Sequence, residues 1–129
     1  TDLGGWVDDI RSGRRVDTNA RGLGCRGGNA SCQVGLGWMV TYAALRPHLK
    51  GNLTAIGCAP GSEVAVTGHS LGAAVAQLAM FDLAGDGYRI VRSYVFGSPR
   101  VGNEAWAMAF QARLAGTEVY LVTHGRDPV

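Results

Sequence analysis

The sequence predicts an α/β fold built on a parallel sheet. Three observations carry this. From residue 63 onward, short apolar stretches alternate with longer helical patterns in the order β-α-β-α-β. Each connection between strands is long enough to hold a helix, so the strands run parallel with right-handed crossovers. No run of roughly 18 apolar residues interrupts the pattern, which excludes a membrane-spanning helix.

Residues 1–10 set Leu3, Trp6, Val7 and Ile10 at i, i+3, i+4 and i+7, with Asp2, Asp8 and Asp9 elsewhere on the wheel. That is a short amphipathic helix pattern, weakened by Gly4 and Gly5. Residues 11–35 are rich in Arg, Gly and Asn and read as loop. Trp38, Tyr42, Leu45 and Leu49 then form a helical stripe, and Pro47 predicts a kink or two pieces within 37–57. Pro60-Gly61-Ser62 is a turn. Glu63 to Thr67 reads as a short buried strand that runs straight into Gly68-His69-Ser70-Leu71-Gly72. Ala73 through Leu83 is Ala-rich and helical, ended by Gly85 and Asp86-Gly87. Ile90 to Phe96 is the second strand, and Gly97-Ser98-Pro99 turns the chain. Asn103 is an N-cap for a helix from Glu104 to Leu114, which Gly116 closes. Glu118 to Val122 is the third strand.

Composition bounds the alternatives. With 129 residues, 47% hydrophobic and 17% charged, the chain is globular and at most one domain. Net charge is +2, from eleven arginines, Lys50 and ten acids. The one basic cluster, Arg11, Arg14, Arg15, Arg21 and Arg26, lies in a glycine-rich stretch without interleaved aromatics, so a solvated loop is favoured over a nucleic-acid surface. Cys25, Cys32 and Cys58 allow one bridge and a leftover, with three pairings open, and their spacing matches no zinc site. The odd cysteine suggests a partner outside the chain. Thr1 reads as a cut point, since the chain opens on neither Met nor a signal peptide.

Gly68-His69-Ser70-Leu71-Gly72 carries the chemistry. A G-x-S-x-G between a strand and a helix puts the serine on a sharp, strained turn with its hydroxyl exposed. Both glycines, Gly68 and Gly72, are expected where the turn brings backbones too close for a Cβ. The following helix N-terminus favours a developing negative charge, and the Leu71 N–H is the expected oxyanion donor. A chance pentapeptide of this kind arises with probability about 0.14 at this composition. The strand before it and the small-residue helix after it, with Ala73, Ala74 and Ala76, therefore decide the reading.

An activated serine needs a base and a group to orient that base. The chain order in elbow-type sites is Ser, acid, His. Asp127 follows the third strand, at the sheet edge where Ser70 emerges, whereas Asp82 and Asp86 lie in or after the helix and are poorly placed. None of His48, His69 and His124 follows Asp127. His69 adjoins Ser70, so their side chains diverge, and it is expected to be a packed or hydrogen-bonded support. His124 reads as structural and His48 as a helix-surface residue. The order places the base after Val129.

These residues resemble the fungal class 3 triacylglycerol lipases. Thr67–Ala79 (TGHSLGAAVAQLA) is similar to the family's elbow and helix, Tyr94–Asn103 (YVFGSPRVGN) to its next strand and turn, and Val122–Val129 (VTHGRDPV) to the strand carrying its acid. Cys32 to Trp38 is similar to a segment that usually carries a His where Gly35 stands. Trp6 with Asp9 resembles the tryptophan-containing lid. The resemblance implies an α/β-hydrolase fold, incomplete over this chain: a βαβαβ core, residues 1–129 being the central fragment of one such domain. It implies Ser70 as nucleophile, Asp127 as acid, and Leu3, Trp6, Val7 and Ile10 as lid residues facing lipid when open. Thr1 is the candidate for the second oxyanion donor, a Ser or Thr just before the lid. It further implies a secreted triacylglycerol lipase acting at an oil–water interface, with no metal, organic cofactor or nucleic acid. The fragment alone is expected to be inactive for lack of its His. Rival readings are a feruloyl esterase or phospholipase on the same scaffold, or a non-catalytic relative that binds lipid surfaces. Asn29-Ala30-Ser31 and Asn52-Leu53-Thr54 are glycosylation sequons, which suit a secreted chain.

Overall fold

The computed structural model describes residues 13–25 and 30–125. The helix expected over 1–10, with Thr1 and the four lid residues, lies outside them, as does Asp127. The elements in order are β1 (Arg15–Asp17), β2 (Gln33–Gly35), α1 (Leu36–Ala55), β3 (Glu63–Val64), β4 (Thr67–His69), α2 (Leu71–Gly85), β5 (Arg89–Ile90), β6 (Ser93–Phe96), α3 (Glu104–Arg113) and β7 (Val119–Val122).

The β-α-β-α-β order is observed, and every pairing from β3 onward is parallel. β4, β6 and β7 lie side by side, with β6 central, and β3 pairs with β5. The expected first strand is β3 and β4 interrupted at 65–66, and its partner is β5 and β6. The register changes from Val64↔Ile90 to Thr67↔Tyr94, so the second strand carries one extra residue. Ser93 repairs the break: its buried hydroxyl accepts from the Val66 N–H (3.0 Å) and donates to the Val91 carbonyl (2.8 Å). This is the arrangement of a β-bulge, in which a side chain supplies the missing ladder bonds.

α2 is the centre of the molecule. Ala73 to Leu83 is buried all round, which is why the helix shows no amphipathic stripe. One cluster packs it against α1, α3 and the β1–β2 hairpin through Trp38, Tyr42, Leu78, Phe81 and Trp106. A second packs it on the sheet through Ala76, Met80, Leu83, Ile90 and Val95. The Phe81 and Trp106 rings meet at 4.7 Å.

Several expectations are corrected. Residues 11–35 are not simple loop: β1 and β2 pair antiparallel, joined by a 3-10 turn at Asn19–Arg21 and the Cys25–Cys32 disulfide. Three-residue strands give too short an alternation to read from sequence. The bridge resolves the three pairings and leaves Cys58 free. α1 is not two pieces: it runs unbroken through Pro47, whose missing N–H costs one hydrogen bond on an exposed side. Leu45, expected in the apolar stripe, is exposed. The strand at 63–67 is not buried on both faces, since Glu63, Ala65 and Thr67 are exposed. The helices all pack on one face, and the other face, with Tyr94, Phe96, Tyr120 and Val122, has no covering layer among the described residues.

α1 is clamped to α2 by Asp82, which is 4% exposed. Its carboxylate accepts from Tyr42 Oη (2.6 Å) and from Arg46 Nε and Nη2 (2.7 and 2.8 Å), and Lys50 Nζ sits 2.9 Å away. Burial pushes the Asp82 carboxyl up, but hydrogen bonds from Arg46, Tyr42 and Lys50 outweigh it and hold the group below the usual carboxylate range. Burial and the bond to Asp82 together push the Tyr42 phenol well above its ordinary value, so it stays a donor.

Candidate active site

The site is built where β4 ends. Parallel pairing sets His69 opposite Phe96, and the Ser70 N–H adds one more rung to the Phe96 carbonyl at 2.9 Å. The chain then reverses into α2 within a single residue. Ser70 takes φ 53°, ψ −121°, and is the one non-glycine residue with positive φ among those described. Holding a serine there costs of order 1–3 kcal/mol, which the buried helix and the strand ladder over-determine.

The turn explains one glycine of the pair and not the other. A Cβ on Gly68 would collide with the Gly72 carbonyl and lie 2.9 Å from the Ala73 nitrogen. A Cβ on Gly72 would meet no described atom within 4 Å. Among the described residues, then, only Gly68 of the pair is sterically required: it sits in the closed crook of the turn, and Gly72 does not.

Ser70 occupies the N-cap position of α2 yet makes no side-chain cap bond. A serine there normally spends its hydroxyl on the N2 or N3 amide. Here the strained φ swings the side chain away, and Oγ has no hydrogen bond among the described residues. The Ser70 carbonyl accepts from the Ala73 and Ala74 amides (2.9 and 3.3 Å). The Leu71 and Gly72 amides have no acceptor among the described residues and stand at the positive end of a 15-residue helix. A half-exposed hydroxyl beside free amides and a helix N-terminus is an arrangement for attack on a carbonyl with stabilisation of the oxyanion.

Among the described residues His69 is exposed and has no hydrogen bond, since strand alternation turns it opposite to Gly68, so the packed or hydrogen-bonded support expected of it is not seen there. His48 is exposed on α1, as expected, and His124 is exposed beyond β7.

The turn after β6 lies beside the elbow. The Gly97 N–H donates to the Val122 carbonyl (2.9 Å), tying this turn to the end of β7. Gln77, two turns into α2 and buried, donates from Nε2 to Ser98 Oγ at 2.7 Å, and Ser98 Oγ donates to the Pro99 carbonyl. Sequence reasoning did not single out Gln77, though a lone amide inside Ala-Ala-Val-Ala-Gln-Leu-Ala is the signal that could have found it. Asn103 is the expected N-cap of α3: its Oδ1 accepts from Trp106 N–H (3.0 Å) and from Gln33 N–H (3.0 Å). This ties the hairpin to the same turn.

β7 ends at the same sheet edge as β4 and β6, so the chain leaves Val122 on the side of Ser70. A groove of about 620 Å³ runs between α3, β7 and the 98–103 turn, lined by Trp106, Phe110, Leu114, Val119 and Leu121, and Ser70 is not among its lining residues. Among the described residues no group of His, Cys, Asp and Glu is arranged to hold a metal ion, and no helix is long and apolar enough to cross a membrane.

A family model described as Lipase (class 3) matches residues 6–129. The secreted mono- and diacylglycerol lipase A of Penicillium camembertii is 40% identical over 125 residues, covering 96% of this chain and 37% of that protein. The secreted mono- and diacylglycerol lipase 1 of Fusarium solani is 42% identical over 101 residues, covering 78% of this chain and 29% of that protein. Among solved structures, a mutant MDLA of Penicillium cyclopium superposes with a TM-score of 0.72 at 36% identity, over 93% of this chain and 42% of that one. The Lip2 lipase of Yarrowia lipolytica superposes at 0.73 and 24% identity, over 96% and 46%, which speaks to fold alone. The chain thus spans less than half the length of each of these proteins, from 29% to 46%.

Proposed function

The chain belongs to the class 3 lipase family and has its α/β-hydrolase fold, and on that footing we propose that it is the central part of a secreted hydrolase of lipid carboxylic esters, with Ser70 as nucleophile. One observation carries the reading: Ser70 holds a strained positive φ at a strand-to-helix turn with its hydroxyl unspent on capping. The Ser70 Oγ attacks the ester carbonyl and a histidine takes its proton. Asp127 orients that histidine, which the family order sets after Asp127. The Leu71 N–H holds the oxyanion, with Thr1 as the second donor. The histidine gives that proton to the departing alcohol, then takes one from the water that attacks the acyl-enzyme and returns it to Ser70 Oγ as the fatty acid leaves.

The substrate class is acylglycerol. Both relatives are named for mono- and diacylglycerols, which favours partial glycerides over the triacylglycerols expected from the family resemblance alone. The relatives' names and the two sequons support secretion. Leu3, Trp6, Val7 and Ile10 form the lid that meets the oil–water interface.

The test is Ser70→Ala in the protein containing the whole domain, assayed on mono-, di- and triacylglycerol emulsions, a phospholipid and a feruloyl ester. Loss of all ester turnover is expected, by about 10³-fold or more. Turnover that survives in Ser70→Ala sinks the assignment. Preference for the phospholipid or feruloyl ester in the unaltered protein replaces the acylglycerol reading. Lipid-surface binding with no turnover of any of these esters supports the non-catalytic one.

A further inference from the structure

We propose that Asn52 carries an N-linked glycan that covers Ile56, an inference that rests on the reading of the chain as secreted. Asn52-Leu53-Thr54 is an acceptor triplet in the last turn of α1. The helix sorts its residues by face. Leu49 and Leu53 pack inward against the core cluster on the sheet, while Asn52, Thr54, Ala55 and Ile56 are exposed. The Asn52 side-chain amide has no hydrogen bond among the described residues, so nothing in the fold accounts for it.

Ile56 is the second observation. It is 77% exposed, the most exposed of the large apolar side chains among the described residues. It is the C-cap of α1, four residues after Asn52, and its N–H donates to the Asn52 carbonyl (3.1 Å), which sets the two residues one above the other. A sugar on Asn52 Nδ2 would lie over it. The site is also remote from the chemistry. α1 leads through 57–62 into β3, so Asn52 lies towards the N-terminal end of the strand whose other end presents Ser70, roughly 20 Å along the strand. A glycan there leaves the catalytic edge free to approach lipid.

The transfer balances without a redox partner. Asn52 Nδ2 displaces a polyprenyl diphosphate from the anomeric carbon of a lipid-linked oligosaccharide. The N–C bond forms, the C–O bond to the diphosphate breaks, and one amide proton passes to the transferase. In folded α1 the Thr54 hydroxyl donates to the Lys50 carbonyl at 3.0 Å. It is therefore committed once the helix closes, and transfer precedes folding.

The experiment is secretion from a eukaryotic host behind a host leader, followed by peptide mapping after enzymatic release of N-glycans in isotopically labelled water. Residue 52 is expected to be recovered as labelled aspartate. Asn52→Gln and Thr54→Ala are each expected to lose one glycan mass, and Thr54→Ser to keep it. Apolar-dye binding is expected to rise when the glycan is removed, and Ile56→Ser to abolish the rise. Asn52 recovered unmodified in the secreted protein, with or without a glycan on Asn29, overturns the site. A rise that persists in Ile56→Ser overturns the covering role. Ester hydrolysis is measured on the same samples, so failure of the serine assignment registers separately.

Discussion

Gly68 and Gly72 look equivalent in the pentapeptide and differ in the folded chain. The difference gives a paired prediction. Gly68→Ala forces a Cβ into the Gly72 carbonyl, so the turn must open. We expect a loss of several kcal/mol by denaturant titration, the range of a strained or overpacked site (about 1–3 kcal/mol or more). Gly72→Ala meets no atom of the described residues within 4 Å and removes a helical glycine, so it should raise stability by about 0.5–1 kcal/mol. Equal effects from the two substitutions would refute this account of the turn. At this scale the sequence spoke clearly about Ser70, because the motif fixes the backbone around it. It said less about His69, because burial of a strand residue depends on what covers the sheet.

Among the elements, the α1–α2 pair depends on one carboxylate. Asp82→Asn should cost about 3 kcal/mol or more, since it removes the buried negative charge that Arg46 and Lys50 face and sets an NH2 donor among the Tyr42, Arg46 and Lys50 donors, although Lys50 keeps its ion pair with Asp86. A drop in thermal midpoint checks it, and Tyr42→Phe should cost less, about 1.5–3 kcal/mol. The pH sign follows from the depressed Asp82 carboxyl. The unfolded group titrates near about 4. Its contribution is therefore complete above that pH and is lost as pH falls through the lower folded value. Unfolding titrations from pH 6 down to 2 should show stability falling below about pH 4, with a weaker fall in Asp82→Asn. The clamp was not legible from sequence. Asp82 stood out only as badly placed for catalysis, and its partners lie 32 to 40 residues away on another helix. The hairpin was missed because Arg15–Asp17 and Gln33–Gly35 are held by pairing and a disulfide, and their apolar alternation, one valine each, is too short to read.

Over the whole molecule, the helices cover one face of the sheet. A parallel sheet is normally buried on both. Tyr94 and Tyr120 stack at 5.0 Å on the face that has no layer among the described residues, beside Phe96 and Val122. The 129 residues expressed alone should therefore self-associate, as sedimentation velocity across a concentration series would show. Replacing Tyr94, Phe96 and Tyr120 by Thr should reduce association without loss of the helical signal. A monomer at every concentration would mean that the face is covered.

By itself the sequence determined the strand and helix order from residue 63 onward, the N-cap at Asn103 and the turn that presents Ser70. Each of these rests on neighbours within a few positions: a periodic run, a capping side chain, a glycine with no room for a Cβ. Tertiary structure alone decided which cysteines pair, that Asp82 clamps two helices, that Gln77 anchors the turn after β6, and which sheet face the described helices leave uncovered. Those depend on segments brought together across tens of residues, and no local pattern encodes which partner a buried polar group will find.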